Sequence, residues 1–339
     1  MRTLAAVLVA TMLTAVAAAQ STPGPAALTL EHALTLAPDA SAQVSAARAA
    51  LGSAERNDAR VASDPMSLRV DRVTATSGLT NARRSLAAAR AATTLTVASA
   101  YFAALEADTA LTVAELGASI QQQTLQAQQV RKQAGAATDI DVAQAQNAYQ
   151  EARTTLADAR TQRTLAYNTL ASLLGQDVGE LTPVTTTPAV DGLQHYLGSA
   201  DQDNAQLLAA RAAVTLAKAQ YQAIDNDFSS RSDIQQAQDA LDDAQRQVTE
   251  TQRTLELSVR SAYANAQAAL AAFTDARAAD ATAQANLDSA RAQLDAGSIS
   301  PLAYQNDLLT RQQAAQTLES ARHAVIVKLY TLEQVVAGN

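Results

Sequence analysis

Two long stretches without proline, residues 66–182 and 189–300, limit this chain more than any other feature of it. Prolines stand at 23, 25, 38, 65, 183, 188 and 301, so helices can run through both stretches unbroken. The stretches are copies of each other. Gly297 lies 162 residues after Gly135, and the same offset carries Ala100-Tyr101 onto Ala262-Tyr263, Val97 onto Val259, Leu125 onto Leu287 and Leu156 and Arg160 onto Leu318 and Arg322. A fixed offset over roughly 100 residues marks an internal duplication. Each copy reads as a long helical run, a glycine turn and a second helical run, which is an antiparallel helical hairpin with the glycine at its tip. The outgoing run of the first copy, residues 79–133, predicts about 80 Å of helix at 1.5 Å per residue. Its return limb is expected over residues 141–174, closed by Gly175. Pro38 is expected to break and restart the short opening helix, with Thr29 or Thr35 as its cap.

What such helices can bury follows from what they are made of. The apolar content is 48% but aromatics are 3%, and much of the remainder is Ala, which favours helix and buries little area. Packing is therefore expected along narrow seams. Leu79, Leu86, Thr93 and Ala100 recur every seven residues, as do Ala82, Ala89, Thr96 and Ala103, a coiled-coil spacing filled by small side chains. The other faces carry Gln, Arg, Asp, Thr and Asn, so no wide apolar stripe is left to cover a solid core. Helices wet on two faces and sealed along two seams suit a wall one helix thick. A solvent-bridging coiled-coil rod has the same periodicity.

Residues 1–19 have the pattern of a secretory leader: Arg2, an apolar run from Leu4 to Val16, and Ala17-Ala18-Ala19 before an expected cleavage at Gln20. The rest divides into a first hairpin repeat with its linker, residues 20–188, and a second, residues 189–339. A formal charge of −8 with no basic cluster speaks against a nucleic-acid partner. The absence of cysteine removes disulfides, thiolate metal sites and thiol catalysis. His32, His195 and His323 are far apart and read as ordinary helix or linker residues. With no phosphate loop or nucleophile elbow either, the chain is expected to be no enzyme and to hold no cofactor or metal.

The opening Leu28-Thr29-Leu30-Glu31-His32-Ala33-Leu34, the tip stretches beginning Ala134-Gly135 and Ala296-Gly297, the Ala-Tyr pairs at 100–101 and 262–263, and Leu173-Leu174-Gly175, in that order, resemble the TolC-like outer-membrane efflux proteins. The resemblance implies an all-α protomer of duplicated long antiparallel hairpins, three of which form a periplasmic tube. It further implies an exported protein at the periplasm and outer membrane, with a periplasmic adaptor and an inner-membrane pump as partners. Family members also carry a β-barrel, with strands inserted at positions that here are residues 61–78 and 223–232. A membrane strand needs about 9 to 11 residues, and neither site has room for a hairpin of them. At most vestigial β-segments are expected, leaving contact with the outer membrane direct or through a partner. The alternative is a periplasmic coiled-coil spacer or adaptor without transport.

The resemblance places adaptor docking at the tips: Gly135, Ala136, Ala137 and Thr138 in the first copy, Gly297, Ser298, Ile299, Ser300 and Pro301 in the second. Asp139, Asp141, Asp295 and Asp307 gather at the same end. In a three-fold ring each becomes a triplet whose members would raise one another's pKa. Asp139 and Asp141 also fit simple capping of the return helix. The family's second-copy gating aspartates fall at Ala303 and Asn306, while Asp141 matches its first-copy aspartate.

Overall fold

The computed structural model describes residues 27–338; the expected leader lies outside them. Eight helices are described: α1 (Leu30–Ala40), α2 (Ala42–Ser63), α3 (Arg69–Gln133), α4 (Asp139–Leu174), α5 (Leu193–Asp203), α6 (Ala205–Ile224), α7 (Arg231–Asp295) and α8 (Pro301–Ala337). The duplication is visible in their bounds. Helices α3 and α7 have 65 residues each, about 97 Å at 1.5 Å per residue, and α1 and α5 have 11 each. Among the described residues there is no strand, only a single parallel bridge between Leu28 and Leu181. No described helix is long and apolar enough to cross a membrane.

Three local expectations need correction. Helix α1 runs straight through Pro38, and the break comes at Ser41. Pro38 has no N–H to give Leu34 O, so it costs α1 one backbone bond without ending the helix. Ser41 makes the break: its N–H still donates to Ala37 O at 3.1 Å, while its Oγ accepts from Val44 N at 3.3 Å to open α2. Of the two threonines, Thr29 caps α1, accepting from His32 N at 3.2 Å, and the Thr35 hydroxyl bonds back to His32 O.

The second correction concerns the places where strands were sought. Helix α2 continues to Ser63 and α3 starts at Arg69, ten residues before the expected start, because Asp71 Oδ2 accepts from Leu68 N at 3.1 Å and caps the first turn. Only residues 64–68 remain as a loop, and residues 225–230 in the second copy.

The third is the seam. Leu86, Ala89 and Thr93 are buried, but Thr96 and Ala103 are exposed, and burial passes to Val97, Ala98, Tyr101, Phe102, Ala104 and Leu105. A straight helix drifts about 20° per heptad against a strict seven-residue repeat. Over 65 residues α3 also changes neighbours, touching α1, α2, α4, α6 and α8.

The largest core cluster gathers where the repeats meet, combining Leu28, Ala33 and Ala37 with Ala98, Tyr101, Phe102 and Leu105 of α3, Leu170 and Leu174 of α4, Leu181, and Ile326 of α8. Tyr101 pins it. Its hydroxyl lies 2.8 Å from Leu28 O and 2.7 Å from Thr182 O, and burial pushes the phenol pKa up. In the second copy Asn204 stands at the break between α5 and α6, as Ser41 does between α1 and α2. It opens α6 by accepting from Leu207 N at 3.0 Å and donates through Nδ2 to Val335 O and Val336 O.

Candidate functional site: the hairpin tips

Both tips are built by one backbone device. Gly135 and Gly297 have φ of 73° and 70°, the left-handed region that side-chain-bearing residues avoid. Around Gly135, Gly135 N donates to Lys132 O at 2.9 Å and Ala136 N to Arg131 O at 2.8 Å; around Gly297, Gly297 N donates to Leu294 O at 2.9 Å and Ser298 N to Gln293 O at 2.9 Å. This paired pattern satisfies the last carbonyls of a helix as the chain reverses. Nothing lies within 4 Å of where a Cβ would stand on either glycine, so both are required by conformation and not by space. The turns are exposed apart from half-buried Ala137 and Ile299.

The return helices start differently. In the first copy Thr138 and Asp141 cap each other: Thr138 N donates to Asp141 Oδ2 at 2.7 Å and Asp141 N to Thr138 Oγ1 at 3.2 Å. In the second, Ser300 Oγ accepts from Ala303 N at 3.1 Å and Pro301 takes the first helical position, where its missing N–H is no loss. Ala303 stands where Asp141 stands in the first copy, so no reciprocal bond forms. Ser298 Oγ instead bonds back to Gln293 O at 2.8 Å.

The acids separate into distinct roles. Asp141 takes the capping bond, and the Thr138 N–H and hydroxyl, with Arg131 nearby, hold its carboxyl below the usual range. Within the protomer this is opposite to the upward shift expected of a carboxylate cluster. Asp139 is no cap: it opens the helix and pairs with Lys132 across the turn. Asp295 ends α7, and Asp307 lies half-buried in α8. The reading of the tips missed Val130 and Ile140, apolar side chains 63% and 68% exposed on either side of the first turn. Their signal was present in the sequence, since an Ile between Asp139 and Asp141 in a polar cap has no core to enter.

Two of the three histidines have an acid four residues before them. His195 lies 3.9 Å from Asp191 on an exposed surface. His323 is buried, 3.1 Å from Glu106 and 4.0 Å from Glu319, and stacks on Phe102 with ring centroids 4.4 Å apart. It joins α8 to α3. Among the described residues no three His, Asp or Glu side chains gather as a metal site would need.

Residues 75–176 match the family model described as outer membrane efflux protein. Among solved structures, the Campylobacter jejuni CmeC outer membrane channel is similar at a TM-score of 0.68 and 11% identity, covering 91% of this chain and 85% of that one. The outer membrane protein VceC of Vibrio cholerae has a TM-score of 0.64 and 17% identity, covering 91% and 96%. A membrane protein from Pseudomonas aeruginosa has a TM-score of 0.64 and 16% identity, covering 91% and 93%. No curated protein sequence matches the chain significantly. The resemblance read from the sequence therefore stands: the chain has the fold of the TolC-like outer-membrane efflux proteins, and residues 75–176 of it carry that family's sequence pattern.

Proposed function

We propose that three copies of this chain close a hollow helical tube that serves as an efflux or secretion conduit in the cell envelope, passing its cargo without chemistry. The tips, Gly135 to Thr138 and Gly297 to Pro301, meet the periplasmic adaptor of an inner-membrane pump, and Asp141 and Asp307 lie near the mouth. The leader pattern and the family resemblance support export to the periplasm and outer membrane.

One observation carries the reading: the two copies are packed unequally. Helix α3 is flanked by α6 and α8 of the second copy, whereas its counterpart α7 has no comparable contact with α2 or α4 of the first. Equivalent positions differ accordingly. His323, Val325 and Ile326 of α8 are buried, but Thr161, Arg163 and Thr164 of α4 are exposed; Ala98 and Phe102 of α3 are buried, but Arg260 and Ala264 of α7 are exposed. Leu165 of α4 is 54% and Leu257 of α7 is 59% exposed, while Val327, the counterpart of Leu165, packs on the main core. A second copy that set its α7 against α4 would repeat the α3–α8 contact and cover both. Such head-to-tail contacts close into a ring when the rotation permits, and three is the number the resemblance implies.

Light scattering on the mature protein tests this. A mass three times that of one chain is expected, with a hollow ring in particle images. Leu165→Glu, which puts a charge into the seam, should weaken assembly by at least about tenfold and leave the helical spectrum intact. A monomer at micromolar concentration with intact helices overturns the conduit, and a solid rod favours the coiled-coil spacer.

A further inference from the structure

The pole opposite the tips carries a second paired feature. Helices α3 and α7 both run from this pole to the tips, since each lies antiparallel to α8, and the loops before them are copies. Met66 N donates to Asp64 Oδ1 at 2.9 Å and Phe228 N to Asn226 Oδ1 at 3.0 Å; Ser67 N donates to Asp64 O and Ser229 N to Asn226 O, both at 3.2 Å. Each pair of positions is 162 residues apart. What the two turns hold out is a large apolar side chain: Met66 is 85% and Phe228 is 99% exposed, with Leu68 beside Met66 at 68%.

Folding explains none of this. Side chains so exposed add nothing to the core, and a polar residue would close the same turn. Arg69 and Arg231, also 162 apart, begin α3 and α7, where the helix dipole disfavours a cation. Neither makes an ion pair among the described residues. The nearby acids are Asp64, Asp71, Asp225, Asp227 and Asp233. Asp64 and Asp71 are held by backbone bonds, and as a set they leave the pole without net positive charge.

We propose that Met66, Leu68 and Phe228 are feet by which this pole rests on the lipid surface of a bilayer, entering the boundary between headgroups and acyl chains. Lipid fits better than a protein partner. The side chains project from two short exposed turns, and three of them fall well short of the roughly 800 Å² per partner of a specific protein interface. A bilayer surface accepts isolated apolar side chains, with neighbouring arginines reaching the headgroups. Loops of this length cannot cross, because their peptide groups would go unpaired in hydrocarbon. The mixed charge makes the contact one of apolar burial, only weakly dependent on anionic lipid. The proposal takes the envelope location from the function proposed above but not ring closure, so the mass measurement and the lipid measurement fail separately.

Because the chain has no cysteine, Met66→Cys, Phe228→Cys and Ile140→Cys can each carry one environment-sensitive fluorophore on the full mature protein. With vesicles of phosphatidylethanolamine and a minor share of phosphatidylglycerol, blue shifts are expected at positions 66 and 228 and none at 140. The unlabelled protein should float with the vesicles and be released by alkaline carbonate. The double variant Met66→Ser, Phe228→Ser, with an unchanged helical spectrum, should lose about tenfold in bound fraction. Equal flotation of the double variant, or no shift at either site, overturns the proposal. Binding to envelope fragments but not to pure lipid overturns it in favour of a protein partner, and resistance to carbonate overturns it in favour of a spanning segment.

Discussion

Replacing Tyr101 with Phe removes one oxygen from the most buried junction of the molecule. The ring stays, with its edge contact to Phe102 at a centroid distance of 6.0 Å, so no cavity larger than the hydroxyl opens. The hydroxyl proton reaches two carbonyls, Leu28 O and Thr182 O. Leu28 O keeps another donor, Thr182 N at 2.9 Å, and Thr182 O is the one left unpaired. An unsatisfied buried carbonyl costs about 1–3 kcal/mol; with one group affected beside a surface linker, about 1–2 kcal/mol is expected. For a chain of this length that lowers Tm by about 1–3 °C, measured by far-ultraviolet circular dichroism. Tyr263→Phe is the internal control, because that hydroxyl only accepts from Gln267 and its loss should stay within about 0.5 kcal/mol. The difference also has a pH signature. Burial raises the Tyr101 pKa above its ordinary 10.0, so its stabilising effect is full below that value. The effect is lost as pH rises through the higher folded pKa, and the gap between native and variant should close there. If Tyr101→Phe is as silent as Tyr263→Phe, the linker is not held by this bond.

Gly135→Val and Gly297→Val force a β-branched residue into left-handed backbone and should each cost about 1 kcal/mol or more, with bulk helicity kept. Unchanged transport and adaptor association in both would limit the glycines to shaping the turns. Asp141→Asn should loosen the first tip, read as faster amide exchange around Thr138. Since the folded pKa of Asp141 is lowered, its contribution is present above the ordinary carboxylate pKa, so the difference should fade as pH falls through the folded value. A difference that persists in acid would assign the effect to shape and not to charge.

The parts of this fold legible in sequence are those encoded locally or by repetition. The offset between Gly135 and Gly297 locates both tips, because left-handed turns ask for glycine wherever they occur. Proline spacing gives the length of α3 and α7. What escaped was set by distant partners. That the helix breaks at Ser41 and not at Pro38 is reinforced by a distant contact, since Ser41 Oγ also lies 3.1 Å from Thr93 Oγ1, 52 residues away. The seven-residue rows were drawn as though α3 had one neighbour, and burial follows the neighbours it has. His323 read as ordinary because Glu106, 217 residues earlier in the chain, could not be counted among its surroundings. At the tips, glycine and cap were visible, while the Lys132 to Asp139 pairing depended on the turn geometry.

The core cluster at the junction has a bearing on how such a chain comes to be folded. Phe102, Leu105 and Ala98 belong to the first repeat, yet Ile326 and the stacked His323 that cover them come from α8, the last helix described. The first half is thus left open on one side until α8 arrives. Contacts separated by more than two hundred residues form slowly and expose apolar surface in the interval. A ribosome that stalls before α8 would release a chain with a complete first hairpin and an uncovered Phe102, a species suited to chaperones and proteases and not to assembly.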